Sequence, residues 1–287
     1  MAVEKNRFRT APKNADCTID QRWSSYTADE HARWDRLVQR QMRVLPGRAC
    51  DTYLRALNQL ELSTSGIPDF AKLSDRLEAI TGWRVLPVAD LVPDDIFFQH
   101  LANKRFPAGA FIRPEDEFDY LQEPDVFHDV FGHVPMLANP VFAKFMEAYG
   151  KGGLRAKNLG VLKHLARLYW YTVEFGLRRD KNGLRIYGAG ILSSPAESVF
   201  ALESPSPHRL RFDVIRTMRT TYVIDDFQKT YFVIDSYDQL LEDCYKDFAS
   251  AYARVRTLRD IDPSHLQRGD GMISKGTLDY FARNSAA

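Results

Sequence analysis

Cysteine is scarce in this chain. Three thiols, Cys17, Cys50 and Cys244, are spread over 287 residues, too far apart and odd in number for a disulfide framework or a thiolate metal site. Long apolar runs are missing too. No stretch approaches the ~18–20 residues that span a bilayer, and the first twenty residues are polar, without the apolar centre of a secretory signal. Neither sign of charge is in excess: 39 basic and 38 acidic side chains leave a formal net charge of +1. That argues against a nucleic-acid binder working by phosphate neutralisation and gives no reason to invoke an anionic membrane. Repeats and low-complexity segments are also absent. What these absences leave is a reducing, cytoplasmic setting.

Core material is plentiful, with 45% hydrophobic residues. At this length a folded chain, as one large domain or two small ones, buries roughly three quarters of its extended surface. Residues 1–25 are polar and aperiodic and read as a mobile segment. Order is expected from Thr27-Ala-Asp-Glu30, a capping box that opens a helix running towards Leu45. Further helices are expected over residues 51–62, 69–80, from Pro93 to Leu101, 126–131 (ending near Gly132), 140–149 and 159–177. Short strands are expected at 83–88 (broken by Pro87), 184–187, 190–192, 221–224 and 231–234. Ser236-Tyr-Asp-Gln239 opens a last helix towards Thr257. The pattern is α+β, mainly α, rather than a doubly wound sheet.

The densest chemical signal is Pro124-Asp-Val-Phe-His128-Asp-Val-Phe-Gly-His133-Val-Pro135. Neutral imidazole binds borderline metals without adding charge. On an ideal helix, however, residues five apart point about 140° away from each other at ~100° per step. The two histidines therefore converge only if the helix ends or bends between them, and Gly132 is placed to allow that. Spacing alone is equally compatible with two ordinary hydrogen-bonded histidines. A third ligand has its candidate in Glu174, the only charged residue of Leu168-Tyr-Trp-Tyr-Thr-Val-Glu174-Phe-Gly-Leu177, since a carboxylate among apolar groups needs a cation or hydrogen bonds. Against this, Lys163, Arg167, Tyr171, Glu174 and Arg178 share one helical stripe, so Glu174 could sit on a solvated face with Arg178. Two histidines and a carboxylate with open positions suit non-haem Fe(II) and oxygen chemistry. Zinc fits the same donors and keeps a hydrolase reading open.

Three strings carry a resemblance: Tyr120-Leu-Gln-Glu-Pro-Asp-Val-Phe-His-Asp-Val-Phe-Gly-His-Val-Pro135, Tyr169-Trp-Tyr-Thr-Val-Glu-Phe-Gly-Leu177 and Tyr187-Gly-Ala-Gly-Ile-Leu-Ser-Ser194. In order and spacing the chain resembles the pterin-dependent aromatic amino acid hydroxylases, particularly the short bacterial phenylalanine 4-hydroxylases. Weaker similarity runs from about Thr27 to Ser250. The resemblance implies a single compact, basket-like catalytic domain over residues 26–270, between the mobile segment 1–25 and a tail 271–287. It implies Fe(II) held by His128, His133 and Glu174, and a tetrahydropterin co-substrate that activates dioxygen together with the iron. It places Arg113 on the substrate carboxylate, where a planar guanidinium can make two parallel hydrogen bonds, with Asp125 orienting it from behind. From local sequence, Arg113 would instead pair with the acidic cluster Glu115, Asp116, Glu117 and Asp119.

The same resemblance puts Trp170, Gly190 and Ser193 around the amino acid, where Trp170 would otherwise read as ordinary core. It puts Phe97 on the pterin ring, with neighbouring Phe98 as the alternative and core packing as the competing role. Asp129 stands where animal members carry a pterin-contacting glutamate, and its shorter reach leaves room for a bridging water. Leu121-Gln122 replaces the animal threonine-proline. Glu197, in Ser193-Ser-Pro-Ala-Glu197, is a candidate to orient a ligating imidazole through its other nitrogen; the competing role is a helix N-terminal acid facing the dipole. Trp170 and Ile224 favour phenylalanine over tryptophan and tyrosine respectively, with a tryptophan hydroxylase as the alternative within the family. A zinc hydrolase and a non-catalytic binding protein are the alternatives outside it. The expected partners are small molecules (L-phenylalanine, O2 and pterin), with no nucleic acid and no membrane. The chain lacks the extra N-terminal domain and C-terminal tetramerisation helix of animal members, so a monomer is expected.

Overall fold

The computed structural model describes residues 6–63, 66–119, 123–245 and 248–284. The architecture is α+β with helices dominant, as the pattern predicts. It divides into two units, Met1–Arg43 with Asp51–Leu154, and Val44–Cys50 with Arg155–Ala287.

In the first unit, helix α1 (Ala28–Val44) starts at the expected capping box. Thr27 Oγ1 accepts the Glu30 amide at 3.2 Å and Glu30 Oε2 accepts the Thr27 amide at 2.7 Å, so two donors without helical partners close each other. Helices α2 (Asp51–Gln59) and α3 (Phe70–Thr81) follow. Asp69 caps α3 by accepting from the Ala71 amide, and Gly82 ends it in the left-handed region at φ 78°. Strands β1 (Arg84–Val88) and β2 (Arg105–Gly109) pair in parallel, Val85 opposite Phe106, with α4 (Asp94–Ala102) as the crossover between them. Pro87 does not break β1. It stands opposite Ala108, and its carbonyl accepts from the Ile19 amide at 2.9 Å. β2 lies where the sequence reads as loop, because Pro107 and Gly109 disguise a strand.

The described part of segment 1–25 makes its own contacts in this unit. The Asn6 side chain donates to the Ala89 carbonyl at 2.6 Å, Gln21 bonds both Pro68 and Phe70, and Phe8 and Ile19 are buried.

A π-helix over Phe127–His133 leads directly into α5 (Val134–Leu137), and α6 (Pro140–Asn158) completes this half of the chain. Beneath the π-helix, Phe127 and Phe131 stack at 4.7 Å, with Trp34 edge-on to the first and Tyr53 to the second. All four rings are fully buried. Aromatic pairs of this kind add to the burial energy and fix ring positions.

The second unit opens with α7 (Leu162–Tyr169), which widens into another π-helix, Trp170–Glu174. Strands β3 (Leu177–Asp180), β4 (Gly183–Ile186), β5 (His208–Arg211), β6 (Thr230–Ile234) and β7 (Met272–Ser274) form one sheet in the order β4-β3-β6-β5-β7. β6 is central and buried at every residue, matching its unbroken run of β-formers. Between strands lie α8 (Ala189–Leu192), α9 (Pro195–Glu203) and α10 (Val214–Arg219). Residues 190–192, expected as strand, are helical: the Leu192 and Ser193 amides donate to the Gly188 and Ala189 carbonyls. Residues 221–224, also expected as strand, are irregular. Helices α11 (Tyr237–Tyr245), α12 (Phe248–Val255) and α13 (Asp279–Asn284) close the chain. Whether one helix spans 236–257 turns on 246–247, outside the described residues. Among the described residues, no helix is long and apolar enough to cross a membrane.

Candidate active site

Both segments bearing the predicted ligands are π-helical. The expected bend at Gly132 does not occur; Gly132 lies buried inside a π-helix that reaches His133 and continues directly as α5. The i→i+5 bonding of a π-helix stacks residues five apart, which an α-helix cannot do. His128 and His133 therefore share a face, their Nε2 atoms 3.3 Å apart. An ion with bonds of roughly 2.1 Å to two imidazoles, at angles between octahedral and tetrahedral, separates the nitrogens by roughly 3.0–3.4 Å. The tilted ring of Phe106 lies 5.1 Å from His133, and Tyr53 donates to the Phe131 carbonyl at 2.8 Å. These contacts anchor the turn.

Glu174 ends the second π-helix, whose widened bond runs from the Phe175 amide to the Trp170 carbonyl at 2.8 Å. The alternative placing it on a solvated stripe with Arg178 does not hold. Arg178 belongs to β3, its guanidinium lies over the Tyr237 ring, and it makes no ion pair with Glu174 among the described residues. The rest of the stripe also has other partners: Arg167 grips Asp260 through two bonds of 2.8 Å and Lys163 reaches the same carboxylate. Gly188 and Gly190 pass so close to the Glu174 carbonyl that a Cβ at either would press on it; at Gly190 it would also meet the Phe175 ring at 3.0 Å. Among the described residues, His128, His133 and Glu174 are the one group of three or more His, Cys, Asp or Glu side chains that could hold a metal ion. Two imidazoles and one carboxylate form a donor set suited to Fe(II).

Arg113 is buried and held by Asp125, not by the acidic cluster. Asp125 Oδ2 accepts from Arg113 Nε at 2.8 Å and from the Arg113 amide at 2.9 Å; Oδ1 accepts from Nη2 at 2.9 Å and from the His128 amide at 3.0 Å. Asp125 is wholly inaccessible. Burial pushes its pKa up, but the Arg113 charge and these hydrogen bonds outweigh that and leave it below the usual carboxylate range. The acidic cluster is met by α1 instead: Glu115 by Arg33 and Arg36, Asp119 by Arg40. Because Asp125 occupies the Nε–Nη2 edge, the other edge of the guanidinium remains for a ligand. No acceptor takes Nη1 among the described residues. One carboxylate thus fixes the arginine and, through the His128 amide, the start of the histidine turn.

The two phenylalanines of α4 separate by burial. Phe98 is buried, tilted against Tyr149, and lies where a Cβ on Gly153 would overlap its ring; Phe97 is only half-buried. Asp129 Oδ2 accepts from the Gly109 amide at 2.7 Å, tying the π-helix to the end of β2. Tyr120, Leu121 and Gln122 lie outside the described residues. Ser193 is buried, its hydroxyl bonded to the Ala189 carbonyl. Trp170 is half-buried, stacked on Tyr222 at 4.3 Å and tilted against Phe175 at 4.7 Å.

Glu197 differs from expectation. Its carboxylate accepts from the Tyr231 hydroxyl and from the Gln228 amide, and no imidazole bonds to it among the described residues. Burial pushes its pKa up to about 7 despite the Tyr231 bond. Sequence reasoning missed Tyr222, Phe175 and Gln228 around Trp170. Gln228 offers no local signal, and Tyr222 sits in a segment that reads as strand.

The description biopterin-dependent aromatic amino acid hydroxylase matches residues 19–263. Among curated relatives, the phenylalanine-4-hydroxylase of Caulobacter vibrioides is 58% identical over 92% of this chain and 90% of its own length. That of Chromobacterium violaceum is 57% identical over 93% and 90%. The crystal structure of the Chromobacterium violaceum phenylalanine hydroxylase bound to cobalt superposes with a TM-score of 0.89 at 52% identity, covering 91% of this chain and 95% of the other. The form with iron and phenylalanine bound gives 0.86 over the same shares. The match takes in both halves of the chain and both π-helical turns, and this chain belongs to the biopterin-dependent aromatic amino acid hydroxylases.

Proposed function

We propose that this protein is a phenylalanine 4-hydroxylase, converting L-phenylalanine to L-tyrosine with O2 and a tetrahydropterin at a non-haem Fe(II) centre held by His128, His133 and Glu174. The observation that carries the ligand assignment is the π-helical turn that brings two Nε2 atoms to 3.3 Å. The substrate assignment is supported by relatives above half identity that are phenylalanine-4-hydroxylases. A zinc hydrolase has only the donor set in its favour, and the family match opposes it.

Fe(II) and the reduced pterin, when bound, supply the activation of dioxygen, with one oxygen atom ending on the ring and the other on the pterin. The chain's own residues bind and orient. Arg113 offers its outer guanidinium edge to the substrate carboxylate while Asp125 holds the inner one, so the fork is pre-aligned before substrate arrives. Trp170, with Gly190 of α8 and Ser193 at the end of that helix, walls the aromatic ring. Phe97 and Asp129, the latter accepting from the Gly109 amide, would hold the pterin when it is bound. Apolar walls keep water from the reacting atoms. No side chain acts as a nucleophile. The working form is a monomer in the reducing cytoplasm, a setting supported by the odd, widely spaced set of three cysteines; light scattering on the purified protein tests the first part.

The ligand assignment is tested by iron analysis. His128→Ala, His133→Ala and Glu174→Ala are each expected to keep the far-ultraviolet circular dichroism of the parent and lose stoichiometric iron. Full iron occupancy in any of the three would refute that residue's role.

A further inference from the structure

Gln228 lies just before β6, and both ends of its carboxamide are hydrogen-bonded. Oε1 accepts the Trp170 indole N–H at 2.9 Å, while Nε2 donates to the Val223 carbonyl at 3.1 Å and the Asp226 carbonyl at 3.3 Å. The residue is 1% exposed. An indole can only donate, so the amide has one orientation that satisfies every partner. Its own backbone N–H donates to Glu197 Oε1. The side chain therefore joins two things: the indole at the start of the second π-helix, four residues before Glu174, and the irregular turn 223–226.

Around the indole, one face is covered by the near-parallel Tyr222 ring (13° between planes) and another side by Phe175. The N–H edge is taken by Gln228. Trp170 nonetheless stays half-buried, so the surface these three neighbours leave open is the one a ligand's ring can meet. Tyr222 belongs to the same segment that Gln228 ties down. If the amide lets go, both the indole edge and the ring stacked on it are released. A tryptophan held on three sides presents a wall of fixed position, whereas one free to rotate admits a larger ring.

We propose that Gln228 is a positioning residue for aromatic-substrate selection: by fixing the Trp170 indole, through its N–H and through the Tyr222 ring stacked on it, it sets how large a ring the site accepts. This rests on the hydroxylase reading above. Gln228 touches no substrate. It acts through Trp170.

The test has two arms. In the wild-type protein without added iron or pterin, the Trp170 indole N–H, assigned by its loss in Trp170→Phe, is expected to exchange with solvent at least about tenfold more slowly than free indole, because its hydrogen bond is buried. In Gln228→Leu that resonance is expected to shift and lose its protection. In the second arm, kcat/KM is measured for phenylalanine and tryptophan. Gln228→Leu is expected to lower the phenylalanine-to-tryptophan ratio by about tenfold or more, the scale on which pocket shape discriminates. Adding the change to Trp170→Phe, which has no indole N–H, should leave that variant's ratio within about twofold. An unprotected wild-type indole N–H overturns the proposal without any variant. So does an unchanged ratio in an active, folded Gln228→Leu, or an equal drop in both backgrounds. Failure of the wild type to hydroxylate either amino acid would overturn the hydroxylase reading, and this role with it.

Discussion

Replacing Asp125 with alanine removes an acceptor that four donors share: Arg113 Nε, Arg113 Nη2 and the amides of Arg113 and His128. Removing one partner of a buried ion pair costs about 3–5 kcal/mol, chiefly because the other charge stays buried without compensation. Each stranded amide costs about 1–3 kcal/mol where water cannot reach it. The terms overlap, since a water entering the vacated space can serve more than one donor. The expected loss is therefore about 4 kcal/mol rather than their sum, a large share of an ordinary domain's stability of about 5–15 kcal/mol. Urea unfolding followed by circular dichroism measures it. Asp125→Leu combined with Arg113→Met should be less destabilised than Asp125→Leu alone, because an apolar pair leaves no orphan charge. Asp125→Ala should also raise KM for phenylalanine by about tenfold or more as the guanidinium loses its alignment. A loss below about 1 kcal/mol, or additive behaviour in the double variant, would show that Asp125 does not carry this load.

Two further outcomes follow from buried groups. Glu197 has its pKa raised from 4.5 to about 7 by burial, so between those values the folded state holds a proton that the unfolded chain releases. Stability from this group is accordingly present below about pH 4.5 and lost as pH rises to about 7, up to about 3 kcal/mol in all. Glu197→Gln should flatten that part of the stability-against-pH curve; an unchanged slope would contradict the burial argument. Gly153→Ala would drive a methyl into the Phe98 ring. Although alanine is the better helix former by about 1 kcal/mol, overpacking should win and destabilise by about 2 kcal/mol. Phe97, on the same helix, should move with Phe98 and raise the KM for pterin. A stabilised Gly153→Ala would show that α4 yields freely.

Local signals predicted local structure well where chemistry closed within a few residues. The Thr27–Glu30 box and the Asp69 cap are examples, each satisfied by atoms no more than three positions away. Prediction failed where distant partners decided the outcome. Pro107 and Gly109 argue against a strand, yet β1 pairs with that segment across the α4 crossover. Tyr222 and Ile224 alternate like strand residues, but the first stacks on Trp170 and the second stands 72% exposed. The histidine spacing was the most ambiguous case. On α-helical geometry it argues against convergence, and no propensity scale marks a π-helix. The ligand set was legible only through its resemblance to a family. Arg113 shows the same limit: the nearest acids in sequence are taken by arginines of α1, and its partner lies twelve residues on.

A product assay is the decisive test of the reaction. Purified protein is given Fe(II), tetrahydropterin and oxygen with phenylalanine, tryptophan or tyrosine in separate reactions, and products are resolved by chromatography. Tyrosine is expected from phenylalanine, formed only when iron and pterin are both present and faster than 5-hydroxytryptophan forms from tryptophan. Preferred hydroxylation of tryptophan would keep the chemistry and overturn the substrate. No product from any of the three, with iron shown to be bound, would mean that the protein is not an aromatic amino acid hydroxylase in function.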